Sequence, residues 1–104
     1  MTYMVVLFSL KAGASPQAYE EWARNTDIPN VRALASTTGF EVFKLLSVRG
    51  SDRTPPYQYV EIISIGDMDR FGSEVASETM KKVAGEFRQF ADSPMFIVAD
   101  KIEP

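Results

Sequence analysis

The sequence predicts an α+β domain in which four β-strands and two helical regions follow the order β-α-β-β-α-β. Three observations lead to this prediction: stretches rich in β-branched and aromatic residues, cap-then-proline signals in the first half, and a helical apolar repeat in the second half. With 104 residues the chain is long enough for one hydrophobic core, so we expect a single domain over residues 1–104.

The element order is that of the ferredoxin-like split βαβ pattern. This pattern forms a four-stranded antiparallel sheet with both helices on one face. Each predicted strand is a run of β-forming residues that ends at a glycine, proline or other turn residue. The predicted strands are residues 2–10, 40–49, 57–65 and 95–102.

The helical regions are predicted from their caps. Ser15-Pro16 combines an N-cap with proline at the first helical position, and Asp27-Ile28-Pro29 repeats the signal. We therefore expect one helix to end just before Asp27 and a second, short helix to begin there, with Asp27 as its cap. Asp67 is expected to cap the later helical region, which Gly72 and Ser77 are expected to interrupt.

The first strand is apolar on both faces, with Met4, Val6 and Phe8 on one face and Val5 and Leu7 on the other. Strands of this kind are buried on both sides, which two helices on one face cannot achieve. Two sheets that pair face to face across a two-fold axis would cover the open faces. We therefore expect a homodimer, with a ligand pocket between the two sheets.

The composition excludes several kinds of site. A net charge of −3 gives no basic footprint for nucleic acid and no cationic face for a membrane surface. The chain has no cysteine and no histidine, so we expect no metal and no cofactor, and acid–base chemistry must come from Asp, Glu, Lys or Tyr. No leader segment or long apolar run is evident, so the expected location is the cytoplasm.

Two carboxylates are the candidate catalytic residues. Asp27 lies between two helix ends, where capping hydrogen bonds would lower its pKa and keep it ionised. Glu61 lies in the middle of a predicted central strand, where a buried carboxylate must be paired or neutral. If Glu61 faces the pocket it is a functional candidate with a raised pKa, and otherwise it is structural, with Lys44 as its natural partner.

The candidate ligand-binding residues are aromatic or polar side chains near these carboxylates. Tyrosines at alternate strand positions offer flat apolar surface with a hydroxyl group, which suits an aromatic ligand. Polar residues at the end of the first helix could bind a ligand carbonyl or carboxylate beside Asp27. The set is Tyr3, Trp22, Arg24, Asn25, Lys44, Tyr57 and Tyr59.

The same residues resemble a known superfamily. Tyr19, Trp22 and the later Asp27-Ile28-Pro29 are similar to the EthD-like helix pattern of the dimeric α/β-barrel proteins, with Asp27 where relatives often carry histidine. From "MVVLFSLKAGAS" to "FIVADKI" the chain resembles the RedY/HapK-like family, which is found with pathways for prodigiosin-type pigments. The resemblance implies a role in maturing an aromatic pyrrole or indole intermediate.

Three functions are consistent with these features. The first is a cofactor-free enzyme in which Asp27 or Glu61 transfers a proton during condensation, cyclisation or decarboxylation of such a small aromatic substrate. The second is a binding protein that shelters a reactive intermediate. The third, implied by the resemblance, is a cofactor-free monooxygenase.

Overall fold

The computed structural model describes residues 1–104 and confirms the α+β class. The four strands form one antiparallel sheet in the order β2-β3-β1-β4, as in ferredoxin-like folds. The strands are β1 Thr2–Leu10, β2 Thr37–Lys44, β3 Tyr59–Ile65 and β4 Ala91–Asp100. The α-helices are α1 Pro16–Trp22, α2 Ile28–Arg32, α3 Met68–Val75 and α4 Glu78–Phe90.

Several element boundaries differ from the sequence prediction. Strand β2 begins and ends earlier than the predicted range of 40–49, and β4 begins at Ala91, where it pairs with Leu10 of β1. The edge position of β4 explains why Pro94 is tolerated within it. The later helical region is interrupted at Ser77, whose hydroxyl accepts a hydrogen bond from the Met80 amide at 3.2 Å, whereas Gly72 stays inside α3.

The core lies between the sheet and the helices. Phe8, on the helix-facing side of β1, is fully buried and packs against the rings of Tyr19, Tyr59 and Phe87. A second apolar cluster around Phe40 is formed by α2, α4 and the strands β2 and β3. None of the helices combines the length and apolarity that a membrane crossing would require.

No element of the chain covers the other face of the sheet. Phe43, Met95 and Ile97 lie on that face, and all three are exposed. Val5 and Val60 lie on the same face and are only half-buried. The open face is therefore apolar, as the alternation along the strands predicts.

Candidate functional site

The helix that begins at Pro16 does not break at Asp27. Residues Ala23–Asp27 instead form one wide π-helical turn, in which the Ile28 amide donates to the Ala23 carbonyl five residues earlier. Asp27 has helical dihedral angles (φ −65°, ψ −56°), and its side chain makes no capping hydrogen bond. The prediction that Asp27 caps a new helix is therefore wrong, because the chain stays helical through Pro29.

The wide turn decides where the Asp27 carboxyl group points. Tyr19, Ala23, Asp27 and Val31 are all buried, at intervals of four residues. In a regular α-helix, four residues exceed one turn by about 40°, so such a series would drift away from the sheet. The wider turn offsets this drift, and it keeps Asp27 on the face that packs against the sheet.

Glu61 lies in the middle of β3, paired with Val6 on one side and Val42 on the other. All three residues are on the helix-covered face of the sheet. The carboxyl groups of Glu61 and Asp27 are hydrogen-bonded to each other, and the Tyr19 hydroxyl donates to Glu61 Oε2 at 3.4 Å. The two acids are only 5% and 6% exposed, so they form a buried pair.

Burial and mutual repulsion determine how the pair ionises. Burial raises the pKa of Asp27 to about 6, although the hydrogen bond with Glu61 lowers it in part. Burial, the charge of Asp27 and the shared hydrogen bond raise the pKa of Glu61 well above its ordinary range. Glu61 therefore keeps its proton to higher pH than Asp27 does, and it donates that proton to the ionised Asp27. This reverses the prediction that capping lowers the pKa of Asp27.

An apolar cavity of about 330 Å³ lies beside the acid pair, between the helices and the sheet. Of the sixteen residues that line it, thirteen are hydrophobic, and they include Phe40 and Phe87. The other three are Asp27, Glu61 and Arg88. The cavity is of the size that small-molecule sites have, with few polar groups in an apolar wall.

The position of this cavity corrects the prediction that the two candidate acids belong to a pocket between two sheets. Asp27 and Glu61 both face the helix layer of their own chain, and neither is on the open face. The alternation along β3 shows which residues share a face, but it does not show which face the helices cover, so it could not place the two acids.

Lys44 does not contact Glu61, which corrects the predicted pair. Its Nζ lies 3.1 Å from Glu20 Oε2, which also accepts a hydrogen bond of 2.6 Å from the Tyr59 hydroxyl. These bonds lower the pKa of Glu20, that from Tyr59 having the larger effect. Lys44 pairs in register with Tyr59, two residues before Glu61, so its side chain reaches α1 and not the wide turn.

The remaining predicted ligand-binding residues lie outside the cavity. Tyr3 pairs with Ser64 on the open face of the sheet, and Tyr57 lies before the start of β3. Arg24 and Asn25 are exposed on the outer side of the wide turn. Trp22 donates to Glu86 Oε1 at 2.9 Å and packs against aromatic residues of α4, so it anchors the helix.

Tyr59 and Arg24 line a second, smaller cavity of about 180 Å³, which also includes Glu20 and Lys44. Tyr59 itself is buried, and its ring stacks on Phe8. In this cavity the hydroxyl group of Tyr59 and the ammonium group of Lys44 are both directed to Glu20. It is therefore a separate, internally paired cluster.

The comparison with protein families decides the assignment of the chain. The model of the REDY-like protein HapK family matches residues 2–102, nearly the whole length. The chain belongs to the REDY-like HapK family. Among curated protein sequences, no significant match is found.

Solved structures show the same fold. HapK from Hahella chejuensis is 24% identical, with a TM-score of 0.80, and the match covers 100% of this chain and 95% of that one. An EthD-family protein from Bacillus halodurans is 13% identical, with a TM-score of 0.74, covering 98% and 100%. SnoaB, a cofactor-independent oxygenase from Streptomyces nogalater, is 16% identical, with a TM-score of 0.74, covering 99% and 94%.

Three residues that contact the acid pair or line the cavity, Tyr19, Arg88 and Phe96, were not site candidates from the sequence. In the sequence Tyr19 belongs only to the EthD-like pattern, yet in the structure its hydroxyl contacts Glu61. Arg88 and Phe96 are exposed residues that line the cavity. The steps of four residues from Tyr19 through Ala23 to Asp27 could have suggested a shared face. Nothing in the sequence distinguishes Arg88 from the other charged residues of α4.

The arrangement can hold one proton between two carboxyl groups in an apolar cavity. In such a pair, protonated Glu61 can donate a proton, and the carboxylate of Asp27 can accept one. No group of three or more carboxylates comes together as a candidate metal site. The shared proton of the pair is suited to general acid–base catalysis.

Proposed function

We propose that this protein is a cofactor-free enzyme that transfers a proton to or from an aromatic, pyrrole- or indole-type intermediate of secondary metabolism. The observation that carries the proposal is the hydrogen-bonded Asp27–Glu61 pair beside an apolar cavity of about 330 Å³. Perturbed carboxyl groups that face a cavity are typical of catalytic acids and bases.

The two carboxyl groups take opposite roles. Asp27, ionised above pH 6, accepts a proton from the substrate. Glu61, which remains protonated, gives one to the atom on which negative charge develops. Tyr19 is a positioning residue, because its hydroxyl bond to Glu61 Oε2 fixes the orientation of that carboxyl group. Condensation and cyclisation can use both proton transfers, and decarboxylation uses the proton from Glu61 at the carbon atom that loses CO₂.

The cavity wall favours an aromatic substrate. Phe40, Phe71, Phe87 and Phe96 line it and offer ring faces and edges for stacking. Burial of the substrate between these rings and the sheet would hold the reacting atom against the acid pair and exclude water.

Family membership supports a role in secondary metabolism, because the model of the REDY-like HapK family matches residues 2–102 and the resemblance to that family implies the maturing of a pigment intermediate. SnoaB, which shares the fold, is a cofactor-independent oxygenase. Oxygenation is therefore the second candidate function, in which the same carboxylate would deprotonate the substrate before oxygen adds.

We further propose that the working protein is a homodimer in which the open sheet faces pair. The exposed side chains of Phe43, Met95 and Ile97 make that face apolar, and a monomer would leave them in water. Such pairing leaves the helix-side cavity of each protomer intact.

Proton transfer can be tested without knowledge of the complete reaction. Purified protein is incubated in D₂O with indole and pyrrole compounds, and carbon-bound deuterium is measured by NMR. We expect catalysed exchange that falls about a hundredfold or more in Asp27→Asn and Glu61→Gln, in line with general acid–base effects. Asp69→Asn, an exposed acid outside the cavity, is the matched control.

Three outcomes separate the candidates. Full exchange in folded Asp27→Asn and Glu61→Gln proteins would show the proposal to be wrong. Saturable binding with no exchange, and no effect on the rate of any reaction of the ligand, would indicate a binding protein. Oxygen consumption that depends on the aromatic compound would favour the oxygenase.

A further inference from the structure

The main cavity has opposite charges at its two ends. Asp27 and Glu61 are buried, whereas the third charged lining residue, Arg88, is exposed. Between them the wall is entirely hydrophobic. The cavity is therefore acidic where it is closed and basic where it meets solvent.

Arg88 has no partner within the protein. It lies in the last turn of α4, and its guanidinium group makes neither an ion pair nor a hydrogen bond. Ala84, one turn earlier on the same helix, also lines the cavity, and its small side chain leaves space beside Arg88. An unpaired guanidinium at the mouth of a cavity is available to an anionic group of a ligand.

The sheet gives a length scale for the cavity. Glu61, Val6 and Phe96 pair across three neighbouring strands on the helix-covered face. Neighbouring strands are about 4.8 Å apart, so the backbones at Glu61 and Phe96 are about 10 Å apart. Phe96 is 56% exposed, and it marks the solvent end of the row.

We propose that the cavity binds a flat heteroaromatic molecule end-on, with a ring N–H directed to Asp27 and an anionic group at the far end directed to Arg88. This inference rests on the proposed function, because it takes the acid pair as the end where the reaction occurs. It adds the class of substrate, an N–H heteroaromatic acid, and the direction in which that substrate enters.

The chemistry of each end supports this orientation. An ionised carboxylate in an apolar wall accepts a hydrogen bond readily, and a pyrrole or indole N–H supplies one without adding a charge. An anionic group would be strongly disfavoured at the same end by the charge of Asp27. At the open end, Arg88 can pair with a carboxylate in bidentate fashion while that group stays partly hydrated.

Four probes separate the two contacts. Indole-5-carboxylate carries the N–H and the anion at opposite ends of one ring system. Benzofuran-5-carboxylate lacks only the N–H, and indole-5-carboxamide and benzofuran-5-carboxamide lack the negative charge. Dissociation constants at pH 7.5 are measured by calorimetry for the wild type and for Arg88→Gln, Asp27→Asn and the control Arg49→Gln, which changes an exposed loop arginine outside both cavities.

We expect Arg88→Gln to raise the dissociation constant of indole-5-carboxylate three- to tenfold and to leave that of indole-5-carboxamide unchanged, in line with a partly exposed ion pair. We expect the wild type to prefer indole to benzofuran at least tenfold, and Asp27→Asn to remove most of that preference. Arg49→Gln should bind all four probes like the wild type.

The inference is overturned if indole-5-carboxylate does not bind at millimolar concentration, or if Arg88→Gln affects acid and amide equally. It is also overturned if the preference for N–H survives in Asp27→Asn. The proposed function fails separately, if deuterium exchange does not depend on Asp27 and Glu61. Exchange of indole-5-carboxylate at a subsaturating concentration that depends on both acids but not on Arg88 would retain the acid pair and reject only this orientation.

Discussion

The Asp27 carboxyl group, on the wide helical turn, is hydrogen-bonded to the Glu61 carboxyl group in the middle of β3. Both are buried, and the Tyr19 hydroxyl is the other polar group bonded to them. Because two buried like charges repel each other, the pair retains a proton at neutral pH. This pairing of helix and sheet gives the cavity its acid–base character.

The free energy of unfolding should fall as pH rises from 5 to 8. The pKa of Asp27 is about 6 in the folded protein against an ordinary 3.8, so the folded state binds the proton more tightly than the unfolded chain does. The stabilisation from that proton is complete below about pH 4 and is lost as pH rises through 6. From pH 5 to 8 the loss is about 1 kcal/mol or more, measured by urea unfolding.

Asp27→Asn should make this slope shallower, because an amide does not titrate and the charge of Asp27 no longer raises the pKa of Glu61. Part of the slope should remain, because burial, the largest cause, still raises the pKa of Glu61. The variant should be at least as stable as the wild type at pH 8. The carboxyls with lowered pKa, Glu20 and Glu74, lose their stabilising effect only below about pH 4.5, outside this window. A wild type that gained stability from pH 5 to 8 would contradict the buried pair.

Tyr19→Phe should change the ionisation of Glu61 more than the stability of the fold. The ring stays packed against Phe8, and one long hydrogen bond is lost, at a cost below about 1 kcal/mol. That bond lowers the pKa of Glu61, so without it the pKa rises further. Deuterium exchange, which needs protonated Glu61, should persist to higher pH than in the wild type.

Tyr59→Phe is the matched control for Tyr19→Phe. It removes a hydroxyl bond to Glu20 but leaves the acid pair untouched. Its pH profile of exchange should match that of the wild type. If the alkaline limb of the Tyr19→Phe profile is unmoved, Tyr19 has no positioning role.

The sequence was sufficient to select Asp27 and Glu61 as candidate residues, but it did not show that their carboxyl groups are in contact. A glutamate among alternating apolar residues of a central strand is unusual, whichever face the helices cover. The Asp27-Ile28-Pro29 stretch has the residues of a cap, and a wide turn has no comparable local signature. The burial of Tyr19 and Val31, on either side of Asp27, is what favours the wide turn over a cap.

The predicted Lys44 contact shows a second limit. Lys44 and Glu61 lie on the same face of neighbouring strands, so the alternation along the strands was consistent with a contact between them. The register places Lys44 opposite Tyr59, and Glu20 of α1 then completes the contact. Register and helix position depend on the whole fold, which a local pattern does not determine.

Lys44→Met should therefore have little effect on the acid pair. The ion pair with Glu20 is partly exposed, so its loss should lower the free energy of unfolding by less than about 1 kcal/mol. The slope of stability between pH 5 and 8 should stay as in the wild type. A changed slope would indicate that Lys44 acts on Glu61 after all.

Ile97→Glu should separate the proposed homodimer. Ile97 lies on the open sheet face, where it pairs with Val5 and is still 38% exposed in the single chain. A buried glutamate on each side of a two-fold interface would bring an uncompensated charge from both protomers into an apolar contact. We expect sedimentation velocity to show a dimer for the wild type and a monomer for the variant.

Leu46→Glu is the matched control for this substitution, because Leu46 is 79% exposed and lies after β2, outside the sheet. It should sediment like the wild type. A dimer that withstands Ile97→Glu would show that the open faces do not pair. Since the cavity lies on the opposite face of the sheet, a folded Ile97→Glu monomer should keep indole-5-carboxylate binding, which separates assembly from the chemistry of the site.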